Sequence, residues 1–324
     1  MAVSLDDRTI LGSGEFRYRV EGHWGKLPKG WAFGEVAAVA VDSKDRLYVF
    51  SRSEHPMTVF DRDGNFLKSW GEKTFKRAHG LSMGPDDTIY CTDEGDHTVR
   101  RCTLDGEVLL EIGVPGKPAP YMSGRPFNRC THTALSPTGD IYVSDGYGNP
   151  CVHKYSPAGK HLFSWGTSGT EPGQFNLPHN ICCDEDGLVY VADRESHRVQ
   201  IFDGNGKYRG QWNNLHRPSA LFMSRGPCPY CFIGECGPVL GVNRKAPNLG
   251  PRLSILAKDG KLLARLGDRD EKNWPGQFIS PHGIAVDSRG DIYVGEVSRT
   301  AWPNLYGDEP PPANMRILQK LVKI

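Results

Sequence analysis

The chain has 324 residues, and its 39 Lys and Arg side chains nearly balance 38 Asp and Glu, so the formal net charge is +1. This balance argues against a basic surface for nucleic acid or for anionic lipid. No apolar run approaches the ~18 residues of a membrane-spanning helix, and we expect no signal peptide at the start of the chain. The nine cysteines are an odd number without the spacing of a disulfide framework, which predicts a reducing, cytoplasmic setting.

One pattern recurs along the chain: an apolar strand, a Gly-bearing turn, a strand of the Ile-Tyr-Val type, and two further strands that end near Trp-Gly. The strands alternate apolar and polar residues, and no long segment has the periodicity of a helix. Units of about 40 to 50 residues with four short strands each are typical of propeller blades. The sequence therefore predicts an all-β, six-bladed β-propeller. The predicted blades are residues 36–71, 79–113, 131–166, 179–212, 218–267 and 282–324.

The two ends of the chain complement each other. Residues 14–25 resemble the last strand of a blade, whereas the C-terminal segment RILQKLVKI stops one strand earlier than the other blades do. We therefore expect the N-terminal strand to complete blade 6, which leaves no unpaired edge there. The whole chain, 1–324, is predicted to form a single domain, with the Pro-rich segment 306–314 as a loop at its rim.

Three histidines share one register position, at the start of the innermost strands of blades 2, 4 and 6: His79, His179 and His282. Alternate blades of a six-bladed ring lie a third of a turn apart, so the three imidazoles are expected to converge on the central channel. Three His ligands with an open fourth position are typical of catalytic zinc sites. The alternative is that His is only tolerated in the turn that begins each of these blades.

Two arginines and a tyrosine follow second strands, at the same face of the ring as the three histidines. Arg52 in blade 1 and Arg194 in blade 4 are placed to bind a carboxylate or to stabilise developing negative charge. Tyr147 in blade 3 is a candidate acid or base. The alternative for each is a surface side chain, paired in the case of Arg194 with an acidic neighbour such as Asp193.

Several segments resemble NHL-repeat propellers and, among these, the lyase domain of the peptidylglycine α-amidating enzymes. The block 141–202, with YVSDGYGN and VYVADRESHRVQIF, is the most specific, and AHGLSMGPDDTIYCTD and SPHGIAVD extend the similarity over most of 36–297. The resemblance implies a zinc ion, or another divalent transition metal, held by His79, His179 and His282. It also implies that Tyr147, Arg52 and Arg194 complete a site that cleaves an N-hydroxyalkyl amide to an amide and an aldehyde.

The chain departs from this family at several positions. The family's structural calcium uses an Asp where this chain has Gly283, which argues against calcium although Leu81 remains. We expect no attached copper monooxygenase domain, so a small hemiaminal or α-hydroxy acid derivative is a better predicted substrate than a peptide. The positions of the two disulfides of the secreted lyases hold Asn128 with Gly148 and Tyr190 with Ile201.

Two other functions are compatible with the sequence: a metal-dependent hydrolase of a lactone, ester or amide, and a non-catalytic NHL propeller that binds a protein partner. As an enzyme the chain is expected to act on a small molecule, without nucleic-acid or membrane partners. A further cysteine cluster has two interpretations, a structural zinc site or packed free thiols. It comprises Cys228, Cys231 and Cys236. Three lone histidines are interpreted as turn or surface residues, of which His132 could reach the channel: His97, His132 and His197.

Overall fold

The computed structural model describes residues 9–22, 24–267 and 275–324, and these residues form β-strands with a single α-helix among them. The strands and the helix have the following bounds in chain order: β1 Ile10–Leu11, β2 Tyr18–Glu21, β3 Val36–Val41, β4 Leu47–Ser51, β5 Met57–Phe60, β6 Phe66–Trp70, β7 Ala78–Met83, β8 Ile89–Asp93, β9 Thr98–Cys102, β10 Val108–Gly113, β11 His132–Leu135, β12 Ile141–Asp145, β13 Cys151–Tyr155, β14 His161–Trp165, β15 Pro178–Cys183, β16 Val189–Asp193, β17 Arg198–Phe202, β18 Tyr208–Trp212, β19 Pro218–Met223, β20 Tyr230–Glu235, β21 Arg252–Ala257, β22 Leu262–Leu266, β23 Pro281–Val286, β24 Ile292–Glu296, α1 Ser298–Tyr306 and β25 Leu318–Lys323.

The strands form six antiparallel sheets, which are the predicted blades. Blades 1 to 5 are the consecutive sets β3–β6, β7–β10, β11–β14, β15–β18 and β19–β22. The first strand of each blade packs against the first strand of the next, and β23 packs against β3, so the ring is closed. The prediction of a six-bladed β-propeller is confirmed.

The sixth blade combines both ends of the described chain, in the order β1-β2-β25-β24-β23. Val20 of β2 lies opposite Leu321 of β25, and both side chains are completely buried. The predicted closure is therefore confirmed, although β2 is shorter than the segment 14–25 and residue 23 lies outside the described residues. The short strand β1 adds a fifth strand that the sequence analysis does not predict, and it covers the edge of β2.

The recurring Asp-x-x-Gly turn and the Tyr of the next strand form one unit. In blade 4, Asp184 Oδ1 accepts hydrogen bonds from the turn backbone, and the Tyr190 hydroxyl donates to Asp184 Oδ2 over 2.9 Å. The same bond joins Tyr293 and Asp287 in blade 6 over 3.1 Å. Each turn is thus tied to the blade core, which explains why these residue types recur together.

The helix α1 interrupts blade 6 between β24 and β25 and is not predicted by the sequence analysis. Trp302 and Leu305 of α1 pack on Ile279 and Met315, and the Thr300 backbone N–H donates to Glu35 Oε1 over 2.7 Å. A nine-residue helix of this kind depends on tertiary packing, which its own sequence does not reveal. The Pro-rich segment is a loop from residue 307 to 314, as predicted, but its first residue, Tyr306, ends the helix. Within the described residues, no helix has the length and apolar character needed to cross a membrane.

Candidate metal centre

The three register histidines meet in the central channel. Each is the second residue of an innermost strand, and all three side chains are buried. Their ring centroids are 4.7 to 4.9 Å apart, and one nitrogen from each ring lies within 4.8 Å of the others. The convergence predicted for His79, His179 and His282 is therefore present in the structure.

Each imidazole is oriented by a backbone carbonyl of the next blade. A carbonyl oxygen can only accept a hydrogen bond, so Nδ1 carries the proton and Nε2 keeps its lone pair. Such second contacts fix both the tautomer and the ring orientation of metal-binding histidines. The three bonds, from Nδ1 to oxygen, are His79 to Thr131 (2.6 Å), His179 to Ser219 (2.8 Å) and His282 to Ala37 (2.6 Å).

The carbonyl oxygens that precede the three histidines are also held by hydrogen bonds. The hydroxyls of Thr131 in blade 3 and Ser219 in blade 5 are the donors in two cases. Blade 1 has Ala37 at the same register position, which cannot donate from its side chain, and Arg52 donates instead. The backbone at all three imidazoles is thereby fixed from the neighbouring blade. The contacts are Thr131 Oγ1 to Pro178 O (2.9 Å), Ser219 Oγ to Pro281 O (2.5 Å) and Arg52 Nε to Ala78 O (3.2 Å).

The electrostatics of the channel keep the three imidazoles neutral. Burial lowers the pKa of His79 and His179 well below the usual value, and it lowers the pKa of His282 to about 3. The positive charges of Arg52 and Arg194 add to this effect. Neutral imidazole is the form that binds a metal ion.

The donor set suits zinc or another divalent transition ion better than calcium. Three imidazole nitrogens with an open position match zinc, whereas calcium takes six or more oxygen ligands. Gly283 leaves no room for the missing carboxylate, since an added Cβ would lie 2.6 Å from the Cα of Ala38 and 2.9 Å from the nitrogen of Val39. The residues around Gly283 therefore do not fit the family's calcium site.

Tyr147 and the two predicted arginines lie beside the three histidines. The Tyr147 hydroxyl is 3.0 Å from His79 Nε2 and 3.1 Å from His179 Nε2. The Arg194 guanidinium lies 5.8 Å from the centre of the Tyr147 ring, and Arg52 Nη1 pairs with Glu35 over 2.9 Å. The six residues that the sequence analysis selects are thus brought to one place.

The acidic partner of Arg194 differs from the one considered in the sequence analysis. Arg194 Nε donates to Glu195 over 2.7 Å, while Asp193 pairs with Arg198. Within the described residues, Nε is the atom of Arg194 that donates a hydrogen bond, so both Nη groups remain available to a ligand. The guanidinium of Arg194 therefore keeps free donors beside the Tyr147 ring.

The remaining candidates have structural roles. His97 Nδ1 accepts the backbone N–H of Arg129 over 3.0 Å, and His197 Nδ1 accepts that of Arg217 over 3.2 Å, which are turn contacts as predicted. His132 is packed in the channel wall, where its Cδ2 lies 2.9 Å from the position of a Cβ at Gly80.

The cysteine cluster does not form a metal site. Cys228 is exposed whereas Cys231 and Cys236 are buried, and all three are free thiols. Within the part of the chain that the structure describes, the group of side chains spaced for a metal ion is the three-histidine cluster alone. The interpretation of free thiols agrees with this geometry, but only Cys231 and Cys236 are packed in the interior.

One residue beside the site is missed by the sequence analysis. The Arg129 guanidinium lies 4.8 Å from the centre of the Tyr147 ring, closer than that of Arg194. Arg129 stands two residues before Thr131, which occupies the register position of the histidines in blade 3. Arg77 in blade 2 and Arg217 in blade 5 stand two residues before the same register position. The repeat alignment that finds the histidines would therefore also have found this set of arginines.

Comparison with known proteins agrees with the predicted resemblance. The NHL repeat matches residues 175–202. The chain is 30% identical over 308 residues to peptidyl-alpha-hydroxyglycine alpha-amidating lyase 1 of Drosophila melanogaster, covering 82% of this chain and 56% of that protein. A gluconolactonase from Xanthomonas campestris shares the fold with a TM-score of 0.61 at 12% identity, covering 99% of this chain and 93% of the other.

A human relative covers more of both chains. NHL repeat-containing protein 3 of Homo sapiens is 31% identical over 301 residues, which is 86% of this chain and 81% of the human protein. Identity of this level over most of both chains, together with the closed ring of six NHL-type blades, defines the family. The chain belongs to the NHL repeat-containing proteins.

Proposed function

We propose that the protein is a metal-dependent lyase that cleaves an N-hydroxyalkyl amide of the hydroxyglycine type. The observation that carries the proposal is the position of the Tyr147 hydroxyl between the Nε2 atoms of His79 and His179. A hydroxyl group that can donate and accept a proton therefore lies beside three convergent, neutral imidazoles. The similarity to the Drosophila lyase supports the same reaction.

The reaction requires the transfer of one proton and the cleavage of one bond. The substrate hydroxyl loses its proton, the carbon–nitrogen bond breaks as the aldehyde forms, and the departing amide nitrogen takes up a proton, so no oxidant or reductant is needed. A divalent ion bound to the three imidazoles would supply a Lewis acid for the substrate oxygen. In this proposal Tyr147 relays the proton: its phenol gives a proton to the departing nitrogen and takes up the proton of the substrate hydroxyl.

The two arginines of the channel complement the negative charge on the carboxylate of such a substrate. Arg194 offers both Nη groups, while Arg52 is held by Glu35 and by the carbonyl of Ala78. Guanidinium groups bind carboxylates through paired, charge-assisted hydrogen bonds. In this proposal Arg194 contacts the carboxylate directly, and Arg52 contributes positive charge from a fixed position.

The test uses N-benzoyl-α-hydroxyglycine, with glyoxylate release as the readout and elemental analysis of the purified protein beside it. We expect about one equivalent of zinc or another transition metal, which His179→Ala loses together with turnover. His161→Ala is the matched control, because His161 is an exposed histidine on the outer strand β14. Full activity in His179→Ala contradicts the proposal, and metal-dependent turnover of a lactone or ester alone favours a hydrolase.

A further inference from the structure

The arginines of the site, together with those that stand two residues before the histidine register position, outnumber their acidic partners. Five guanidinium groups are paired with three carboxylates, which leaves two positive charges without a partner within this set. An excess of one charge sign in a cleft attracts ligands of the opposite sign. The paired groups are Arg52 with Glu35, Arg77 and Arg129 with Glu94, and Arg194 and Arg217 with Glu195.

The two excess positive charges lie in different surroundings. Arg194 and Arg217, which share Glu195, are 15% and 10% exposed, and Arg194 belongs to the site proposed for the substrate carboxylate. Arg77 and Arg129 are 46% and 48% exposed, while the Glu94 between them is almost completely buried. The second excess charge is therefore presented to solvent by two guanidinium groups.

Arg129 is held in place rather than free to move. Its backbone N–H donates to His97 Nδ1 over 3.0 Å, and its Nε donates to Glu94 over 2.8 Å. The residue has a φ of 61°, a left-handed conformation that the His97 contact stabilises. Loss of side-chain freedom on ligand binding is therefore small at this position, which favours affinity.

The pair also lies within reach of the reaction site. The Arg129 guanidinium is 4.8 Å from the centre of the Tyr147 ring, and that ring is 5.2 Å from the His79 ring. Arg77 is two residues before His79 in the chain. A molecule bound at the three histidines could contact both arginines through a spacer of a few carbon atoms.

We propose that Arg77 and Arg129 form a second anion site, and that the substrate is a hydroxyglycine-type amide whose acyl part carries a second anionic group, a carboxylate or a phosphate. Both groups match the planar fork of guanidinium donors. This inference rests on the proposed lyase function for the identity of the substrate, but the anion site itself is independent of it.

Binding without turnover tests the anion site directly. Calorimetry on the purified protein would compare glutarate and 3-phosphonopropionate with butyrate, which has a single carboxylate. We expect the two compounds with a second anionic group to bind at least 10-fold more tightly than butyrate, since each adds a charge-assisted hydrogen bond, and the one that binds more tightly identifies the preferred group. Equal affinity of all three compounds for the wild-type protein overturns the proposal.

Arg129→Gln and Arg77→Gln then locate the effect. Arg209→Gln is the matched control, because Arg209 is 50% exposed and paired with Asp203 over 2.7 Å, but lies on the outer strand β18. The preference for the compounds with a second anionic group should fall about 10-fold in each test variant and persist in the control, with thermal unfolding confirming that all variants are folded. An equal loss in Arg209→Gln, or none in Arg129→Gln, contradicts the site.

Kinetics connect the anion site to the lyase function. The ratio of kcat/KM for N-succinyl-α-hydroxyglycine to that for N-benzoyl-α-hydroxyglycine should fall about 10-fold in Arg129→Gln. If wild-type protein cleaves neither compound, the proposed lyase function fails, and the calorimetric comparison still decides on the anion site. If it cleaves both and the ratio is unchanged in the variant, the lyase stands and the second anionic group is wrong.

Discussion

Replacement of Gly80 by alanine should weaken metal binding although Gly80 is not a ligand. A Cβ at this position would lie 2.7 Å from the oxygen of Thr131, which accepts the Nδ1 proton of His79, and 2.8 Å from the Cα of His132. An ordinary contact is about 3.5 Å, so the segment around Thr131 must retreat by up to about 0.8 Å. The bond from His79 to Thr131, now 2.6 Å, then lengthens toward about 3.4 Å, where it orients the ring only weakly.

We expect Gly80→Ala to lower zinc affinity by about 10- to 100-fold, the usual effect of losing a contact that orients a metal ligand. The strain should also destabilise the fold by about 1–3 kcal/mol. Competition with a chromophoric chelator measures the affinity, and denaturant unfolding of the metal-free protein measures the stability. Gly210→Ala is the control, since a Cβ there has no neighbour within 4 Å, and it should be neutral or slightly stabilising. If both variants behave alike in both assays, the reasoning is refuted.

Three further outcomes follow from the structure. Tyr147→Phe should reduce glyoxylate release by about 100-fold or more while the metal content stays unchanged; equal loss of metal would assign Tyr147 a structural role instead. Burial lowers the pKa of His132 to about 4 from 6.5, so the neutral form is favoured in the fold, and His132 should contribute roughly 3 kcal/mol to the stability that metal-free protein loses between pH 6.5 and pH 4, in addition to the loss from the three channel histidines. His132→Gln should reduce that slope by this share in pH-dependent denaturant titrations, and an unchanged slope contradicts the assignment. Val20→Asp should destabilise the ring by about 4 kcal/mol or more, since it buries a charge in β2, whereas Arg19→Ala on the exposed side of the same strand should have little effect in thermal unfolding.

Much of the architecture could be predicted because the propeller repeats its chemistry. The Tyr of the second strand recurs in five of the six blades and marks the repeat. The acidic residue that ends this strand stands fourteen positions after His79, His179 and His282, which gives them one register. The same register brings Arg52 and Tyr147 to the histidines, since they follow second strands on the same face. Position in a repeat is thus sufficient to locate these side chains.

Other features depend on contacts that the sequence does not display. The acceptors of the three Nδ1 protons are backbone carbonyls, and every residue has one, so nothing in the identity of Thr131 or Ala37 reveals this role. Glu94 binds Arg77 and also Arg129, which lies 35 positions further along the chain, so their shared charge becomes visible only in three dimensions. The helix α1 depends on packing around Trp302 and lacks a strong pattern of its own.

The composition of blade 6 affects when metal binding can begin. His282 lies on β23, in a sheet that also contains β2 from the start of the described chain and β25 from its end. During synthesis, His79 and His179 are made before β25, which the sheet of His282 needs for its assembly. The three-histidine cluster, and any metal affinity that it provides, is therefore complete in the closed ring and not in any single blade. Metal uptake during refolding should follow the pairing of β2 with β25, and a bound ion would slow the reopening of that pair.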